Sequence, residues 1–148
     1  MRALRQVLHA TDFSRASRRA FEEAVAMTRR GHGRLLLVHV LMPPSPFVAE
    51  DVIAHRTYED LQRRARAAAT RRLQALLARA RGAGVRAEAM LLDGLPFEEI
   101  TRLARRRRAD VIVIGTHGRT GVGRFVMGSV AARVLRVAPC PVLTARGR

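Results

Sequence analysis

Lysine, asparagine and tryptophan are absent from this chain, and it has one cysteine and one tyrosine in 148 residues. Each shortage excludes something. Without lysine there can be no phosphate loop of the G-K-[ST] type, and the nearest approach, Gly118-Arg119-Thr120-Gly121, lacks that ending. A lone Cys140 leaves no disulfide framework, no C-x-x-C redox pair and no cysteine-rich metal site. Aromatic residues make up 4% of the chain, so stacking platforms for single-stranded nucleic acid are poorly supplied. No apolar run approaches the ~20 residues needed to cross a bilayer, and Met1-Arg2-Ala3-Leu4 leads into a strand pattern rather than a signal peptide. A cytoplasmic protein is expected. No H-x-x-H or H-E-x-x-H spacing suggests zinc, and no metal ligands are predicted.

What the chain has in excess is arginine. All 28 basic residues counted with lysine are arginine, against 12 acids, for a formal charge of +16. Such a charge attracts polyanions non-specifically and in a salt-dependent way, nucleic acid included. Arg63, Arg64, Arg66, Arg71, Arg72 and the run Arg105 to Arg108 would form the surface of a nucleic-acid-binding basic protein, the alternative function. The total absence of lysine and asparagine points as much to a GC-rich coding sequence as to a chemical demand. With 48% hydrophobic residues, the length suits one domain, residues 1–148, with a substantial core.

Hydrophobic periodicity alternates strand and helix along the chain. Gln6 to Ala10 is a short strand, closed by the turn and cap residues Thr11-Asp12-Phe13-Ser14. The following helix has Ala16, Ala20, Phe21, Ala24, Val25 and Met27 on its apolar face and is expected to stop at Gly31 and Gly33. Leu35 to Val40, an unbroken apolar run, reads as a strand buried on both faces. The prolines of Met42 to Pro46 exclude regular structure, and a mobile segment is expected there. A long helix is predicted over Tyr58 to Arg81, its inner side formed by Leu61, Ala65, Ala68, Leu73, Leu76, Leu77 and Ala80. Val85 to Leu92 alternates more than the other strands and reads as an edge strand. Pro96 opens the next helix, with Phe97, Ile100, Leu103 and Ala104 inside and Arg105 to Arg108 in its last turn, where they favour the helix dipole. Val142 to Ala145, introduced by Pro139-Cys140-Pro141, is a final edge strand. The order β-α-β-α-β-α-β-α-β argues for a parallel sheet with helices on both faces.

The stretch around which the chain is organised is Ala109 to Pro141. Val111 to Ile114 is a strand buried on both faces, ending in Gly115-Thr116-His117-Gly118. Gly128 and Ser129 follow, then Val130, Ala131, Val134 and Leu135 at helical spacing, which makes Ser129 the expected N-cap of a helix whose free N–H groups point back at the glycine loop. A helix amino end carries partial positive charge, and glycines allow close backbone approach, so the place suits a phosphate. Arg119 and Arg124 add formal charge.

Gly115-x2-Gly118-x9-Gly128-Ser129 resembles the nucleotide-binding signature of the universal stress protein family, G-x2-G-x9-G-[ST], with every fixed position filled. The opening ATDFS, the strand LLLVHV and the run GRTGVGRFVMGSVAARVLRVAPCPVL are similar to that family too, so the resemblance covers essentially the whole chain. It implies an open, five-stranded, doubly wound, Rossmann-like parallel sheet of strand order 3-2-1-4-5, and membership of the ATP-binding subgroup. Position by position, it implies that Asp12 lies near the adenosine, with Ala10 and Thr11 offering backbone contacts and Val40 shaping the adenine pocket. Gly115 and Gly118 would lie along the ribose and phosphates. Gly128, Ser129 and Val130 would give N–H groups to the phosphate chain, and Ser129 also its hydroxyl. The cofactor would be ATP or ADP, with Mg2+ or Mn2+ held by the phosphates, and the partner a second copy joined through Val142 to Ala145. Other readings of the same residues stay open: Asp12 could merely cap the first helix, Val40 is core on either reading, and Ser129 could cap its helix without any ligand.

Nothing in the sequence assembles a catalytic group. His117 lies in the predicted phosphate loop and could position water, but no second acid or base is adjacent, and a simple loop histidine is the expectation. His9 and His39, inside apolar strands, read as packed core histidines. The resulting expectation is a stress-response or signalling module that holds ATP, with slow hydrolysis as an open alternative.

Overall fold

The computed structural model describes residues 4–42, 52–117 and 127–147, the side chains of 52–55 excepted. Five strands, β1 (Gln6–Ala10), β2 (Arg34–Leu41), β3 (Arg86–Asp93), β4 (Val111–Gly115) and β5 (Val142–Ala145), form one parallel sheet in the order β3-β2-β1-β4-β5. This is the 3-2-1-4-5 topology expected. Four helices connect them: α1 (Arg15–Gly31), α2 (Val52–Gly82), α3 (Pro96–Arg106) and α4 (Ser129–Val137). Val7 to Ala10, Leu35 to Val38 and Val111 to Ile114 are buried at every position, as unbroken apolar runs in a sheet covered on both faces should be. The two edges, β3 and β5, alternate more and bury less, in keeping with their sequences.

Because side chains alternate across a strand, the same runs supply two separate cores. Val7, Leu35, Leu37, Val111 and Val113 face α1 and α2, where Phe21, Ala24, Leu73 and Leu77 close over them. Leu8, Leu36, Val38, Ile112 and Ile114 face α3 and α4, where Ile100, Leu103, Ala131 and Val134 do so. Emptying one such position, for example by Leu37→Ala, should cost about 2–5 kcal/mol.

Several boundaries differ from the sequence reading, each for a local reason. Helix α2 begins at Val52, six residues before the predicted Tyr58. Its inner side is Ala69, Leu73, Leu77 and Ala80, whereas Leu61 is 60% exposed and Ala65 is exposed as well. The sheet is too short to cover the first half of a 31-residue helix, so apolar spacing there does not translate into burial. Helix α1 is stopped by His32, not by glycine: His32 adopts the left-handed conformation at φ 51°, and its N–H bonds the carbonyls of Arg29 and Thr28. Gly33 serves a different need, since a Cβ there would lie 2.4 Å from the Leu4 carbonyl oxygen. Only Arg105 and Arg106 occupy the last turn of α3; Arg107 caps it and Arg108 turns away at φ 50°. Strand β3 begins at Arg86 rather than Val85. Most of the proline segment expected to be mobile, Pro43 to Pro46, lies outside the described residues. Among the described residues, no helix is long and apolar enough to cross a membrane.

Candidate functional site

Strand β1 lies between β2 and β4, with Ala10 beside Ile114. One crossover leaves β1 toward β2 and the chain later returns to its other side at β4, which opens a crevice at the carboxyl ends of these two strands. Three segments meet there: the β1–α1 turn, the start of the β4–α4 loop and the amino end of α4.

Hydroxyl groups organise the β1–α1 turn. Thr11 is buried, its N–H donates to the Val38 carbonyl at 2.9 Å, and its carbonyl accepts from His39 Nδ1 at 2.7 Å. Thr11 Oγ1 receives both the Phe13 N–H at 3.0 Å and the Ser17 hydroxyl at 2.7 Å. Asp12 Oδ1 accepts from the Ser14 N–H at 2.9 Å in an Asx turn, and its second oxygen has no hydrogen-bond partner among the described residues. The helix N-cap is Ser14, whose Oγ accepts from the Ser17 N–H at 3.2 Å, so Asp12 shapes the turn without capping the helix. Phe13 sits at φ 64° and stacks on His39 with ring centres 4.6 Å apart. His39 is thus only half-buried and bonded to the turn, rather than a plain core histidine. Val40, 9% exposed at the end of β2, packs with Ala10 in the α3/α4 core.

On the β4 side, Gly115 has a clear steric role. A Cβ there would come within 2.8 Å of the Ala16 carbonyl carbon and the Ser17 nitrogen, so only glycine lets the first turn of α1 close onto β4. Thr116 donates its N–H to the Ala145 carbonyl at 2.8 Å and accepts from the Gly128 N–H at 2.6 Å, which ties both ends of the β4–α4 loop together. The His117 carbonyl accepts from Ser14 Oγ at 3.3 Å, and His117 Nδ1 lies 2.9 Å from Thr116 Oγ1. The opposite ring nitrogen, Nε2, is buried and has no hydrogen-bond partner among the described residues. Gly118, with the loop up to Val126, lies outside the described residues.

Gly128, not Ser129, is the N-cap of α4, at φ −57° and ψ 146°, and no side chain caps this helix. Ser129 is the first helical residue and is exposed. Its N–H, with those of Val130 and Ala131, precedes the first intrahelical bond, from the Ala132 N–H to the Gly128 carbonyl at 3.0 Å. Three amide donors therefore stand at the amino end of a nine-residue helix with no acid in its first turn.

His9, next to this end on β1, is fully buried against Phe21. Its Nδ1–H donates to the Val113 carbonyl at 3.0 Å, and its Nε2 has no partner among the described residues. Burial pushes its pKa down to about 4, against the opposing pull of that bond and of Asp12. It is a core group, as expected. Burial raises the Cys140 thiol above its ordinary value, which makes it a poor nucleophile. Among the described residues, no cluster of three His, Cys, Asp or Glu is placed to hold a metal.

Fold and crevice together define a doubly wound α/β domain with a ligand position at its switch point. The sequence model of the universal stress protein family matches residues 3–146, and the chain belongs to that family. A universal stress protein of Thermus aquaticus is 37% identical over 141 residues, which span 95% of this chain and 97% of that one. One from Methanocaldococcus jannaschii is 31% identical over 142 residues, 96% of this chain and 82% of the relative. The solved universal stress protein of Archaeoglobus fulgidus in complex with dAMP superposes with a TM-score of 0.68 at 26% identity, covering 97% of this chain and 99% of that one.

Proposed function

We propose that this chain is a single-domain, cytoplasmic, adenine-nucleotide-binding module of the stress response, with ATP or ADP in the crevice between β1 and β4. The observation that carries this reading is the acid-free amino end of α4, with no side-chain cap among the described residues, set beside a half-buried His117 whose Nε2 has no partner among them. Open N–H groups at a helix start suit a phosphate, and a buried imidazole nitrogen without a partner suits a ligand that supplies one. The dAMP complex of the Archaeoglobus relative favours an adenine nucleotide over other anions.

In this assignment Gly128, Ser129 and Val130 hold the phosphates through their N–H groups, with Gly118 in the intervening loop. Asp12 faces the ribose with its unused oxygen, Val40 and Ala10 bound the base, and Thr11 contributes the remaining lone pair of its carbonyl, since its N–H is committed to the sheet. Gly115 acts indirectly, by admitting α1. Mg2+ or Mn2+ enters with the phosphates, as among the described residues this end of the sheet offers Asp12 but no carboxylate cluster. In this reading the bound nucleotide signals or stabilises rather than turning over. Dimerisation is assigned to the outer edge of β5, where Leu143 exposes apolar surface, with Leu135 and Val137 exposed on α4.

The test is to denature the purified protein, identify any released nucleotide, and titrate ATP against wild type and Ser129→Asp at about 0.5 M salt, where loose polyanion contacts are screened. An aspartate at the first helical position favours the helix dipole and repels phosphate, so the variant should keep its stability and lose at least about tenfold in affinity. ATP affinity unchanged by Ser129→Asp would exclude the α4 amino end as the phosphate site.

A further inference from the structure

The opposite, amino end of the sheet carries two adjoining hollows of about 580 and about 670 Å³ that share Gln6, Arg34, Arg86 and Arg107. Arg81 lines one, and Arg5 and Arg108 the other. These six arginines come from the entry to β1, the first residues of β2 and β3, the end of α2 and the turn after α3. Only the parallel topology gathers them, because every β-strand starts at the same end. Among the described residues the guanidinium groups of Arg5, Arg34 and Arg108 meet no carboxylate or carbonyl.

The bland explanation is that these arginines neutralise the negative ends of the helices that finish here. Magnitudes decide against it. Helices α1, α2, α3 and α4 all end on this side, each contributing roughly half a negative charge. The two carboxylates in the lining are already engaged: Glu88 pairs with Arg107, and Asp110 Oδ2 accepts the Arg5 and Gln6 N–H groups at 2.8 Å each. Even counting both carboxylates in full, about two positive charges remain uncompensated. Two guanidiniums are also held in place, Arg86 by the His32 carbonyl at 3.0 Å and Arg81 by the Ala87 carbonyl at 3.2 Å, so part of the side-chain ordering is done before any ligand arrives.

We infer that this hollow is a second anion site, specific for a short chain of phosphates, at the end of the sheet opposite the adenine-nucleotide crevice. Planar guanidiniums on several sides of a concavity match phosphate oxygens by paired N–H bonds. The hollow is larger than one phosphate requires and lies in the size range of small-ligand sites. Nucleic acid fits less well, because no Phe, Tyr or Trp lines the hollow to stack a base, and a duplex presents a convex surface. The site does not depend on the nucleotide assignment.

Inorganic tripolyphosphate is the probe, titrated calorimetrically at about 0.3 M salt so that diffuse attraction is suppressed. Arg34→Ser with Arg86→Ser should weaken binding at least about tenfold, a difference of about 1.4 kcal/mol. Arg64→Ser with Arg71→Ser, which removes the same charge from the exposed side of α2, should change it less than about twofold. A second cleft pair, Arg5→Ser with Arg108→Asn, repeats the test, asparagine being suited to the left-handed backbone of position 108. In wild type, amide shifts on titration should fall at Gln6, His32 to Arg34 and Arg86, and Ser129→Asp should leave these shifts and the Arg34- and Arg86-dependent part of the binding unchanged. Equal weakening by the cleft and α2 pairs would overturn the inference, as would loss of the amide shifts at Gln6, Arg34 and Arg86 in Ser129→Asp. Tighter cleft-dependent binding of duplex DNA, at equal phosphate concentration, would overturn it in favour of a nucleic-acid surface.

Discussion

On the assignments proposed above, the two ends of the sheet hold an anion with opposite materials. The carboxyl end uses backbone N–H groups, hydroxyls and a glycine, and its described lining holds little formal charge beyond Asp12. The amino end uses six arginines and almost no shaped backbone. In a parallel α/β domain helices start at the first end and finish at the second, so the dipoles favour an anion at one and oppose it at the other. Where the fold already supplies positive potential, geometry can do the selecting. Where it supplies negative potential, formal charge has to exceed it. Binding at the first end should therefore discriminate by shape and survive salt, while binding at the second should fall steeply as salt rises.

Variants can break this contrast, and the largest effect is expected at the glycine of β4. Gly115→Val would drive a side chain into the α1 backbone, and urea unfolding should show a loss of about 3 kcal/mol together with loss of nucleotide binding. A change below about 0.5 kcal/mol would mean that α1 can retreat and that the carboxyl end is less rigid than its packing implies.

His9 gives the next effect, through pH. Its folded pKa, about 4, lies below the ordinary value of 6.5, so the unfolded chain takes up the proton first as pH falls. Stability from keeping His9 neutral is intact above pH 6.5 and is lost progressively between there and about pH 4. Denaturant curves at pH 8 and pH 5 should differ by about 2 kcal/mol from this group, and His9→Phe should remove that part of the difference. Persistence of the full difference in the variant would assign it to other groups.

Ser17→Ala removes the 2.7 Å bond to Thr11 at the β1–α1 turn and should cost about 1 kcal/mol. A matching drop in ATP affinity would show that the turn itself is part of the site. Smallest is the amino end: Arg34→Ser or Arg86→Ser should move stability by less than about 0.5 kcal/mol, since both side chains are exposed. A larger loss would show that the arginines there hold the fold together, and the contrast between an end built by packing and an end built by charge would fail.

The amino-acid sequence by itself determined the element order, the two-sided burial of β1, β2 and β4, the edge character of β3 and β5, and the strand–glycine loop–helix stretch with its resemblance to a known family. These are local properties: periodicities of two and of about 3.6, turn residues, and a fixed spacing of glycines. Tertiary structure alone decided the rest. Gly115 is glycine because α1 lies 2.8 Å from where its Cβ would be, a contact between positions a hundred residues apart. Leu61 is exposed because the sheet ends before the helix does. His39 meets Thr11 and His117 meets Ser14 only because β2 and β4 flank β1. The arginines of the amino end are scattered from Arg5 to Arg108 with no spacing to mark them, whereas the run Arg105 to Arg108, conspicuous in sequence, is split by the end of α3. Periodicity is carried by neighbours in the chain and can be read from it. Charge and steric fit between distant segments depend on which strand ends come together, and that is fixed only when the sheet is assembled.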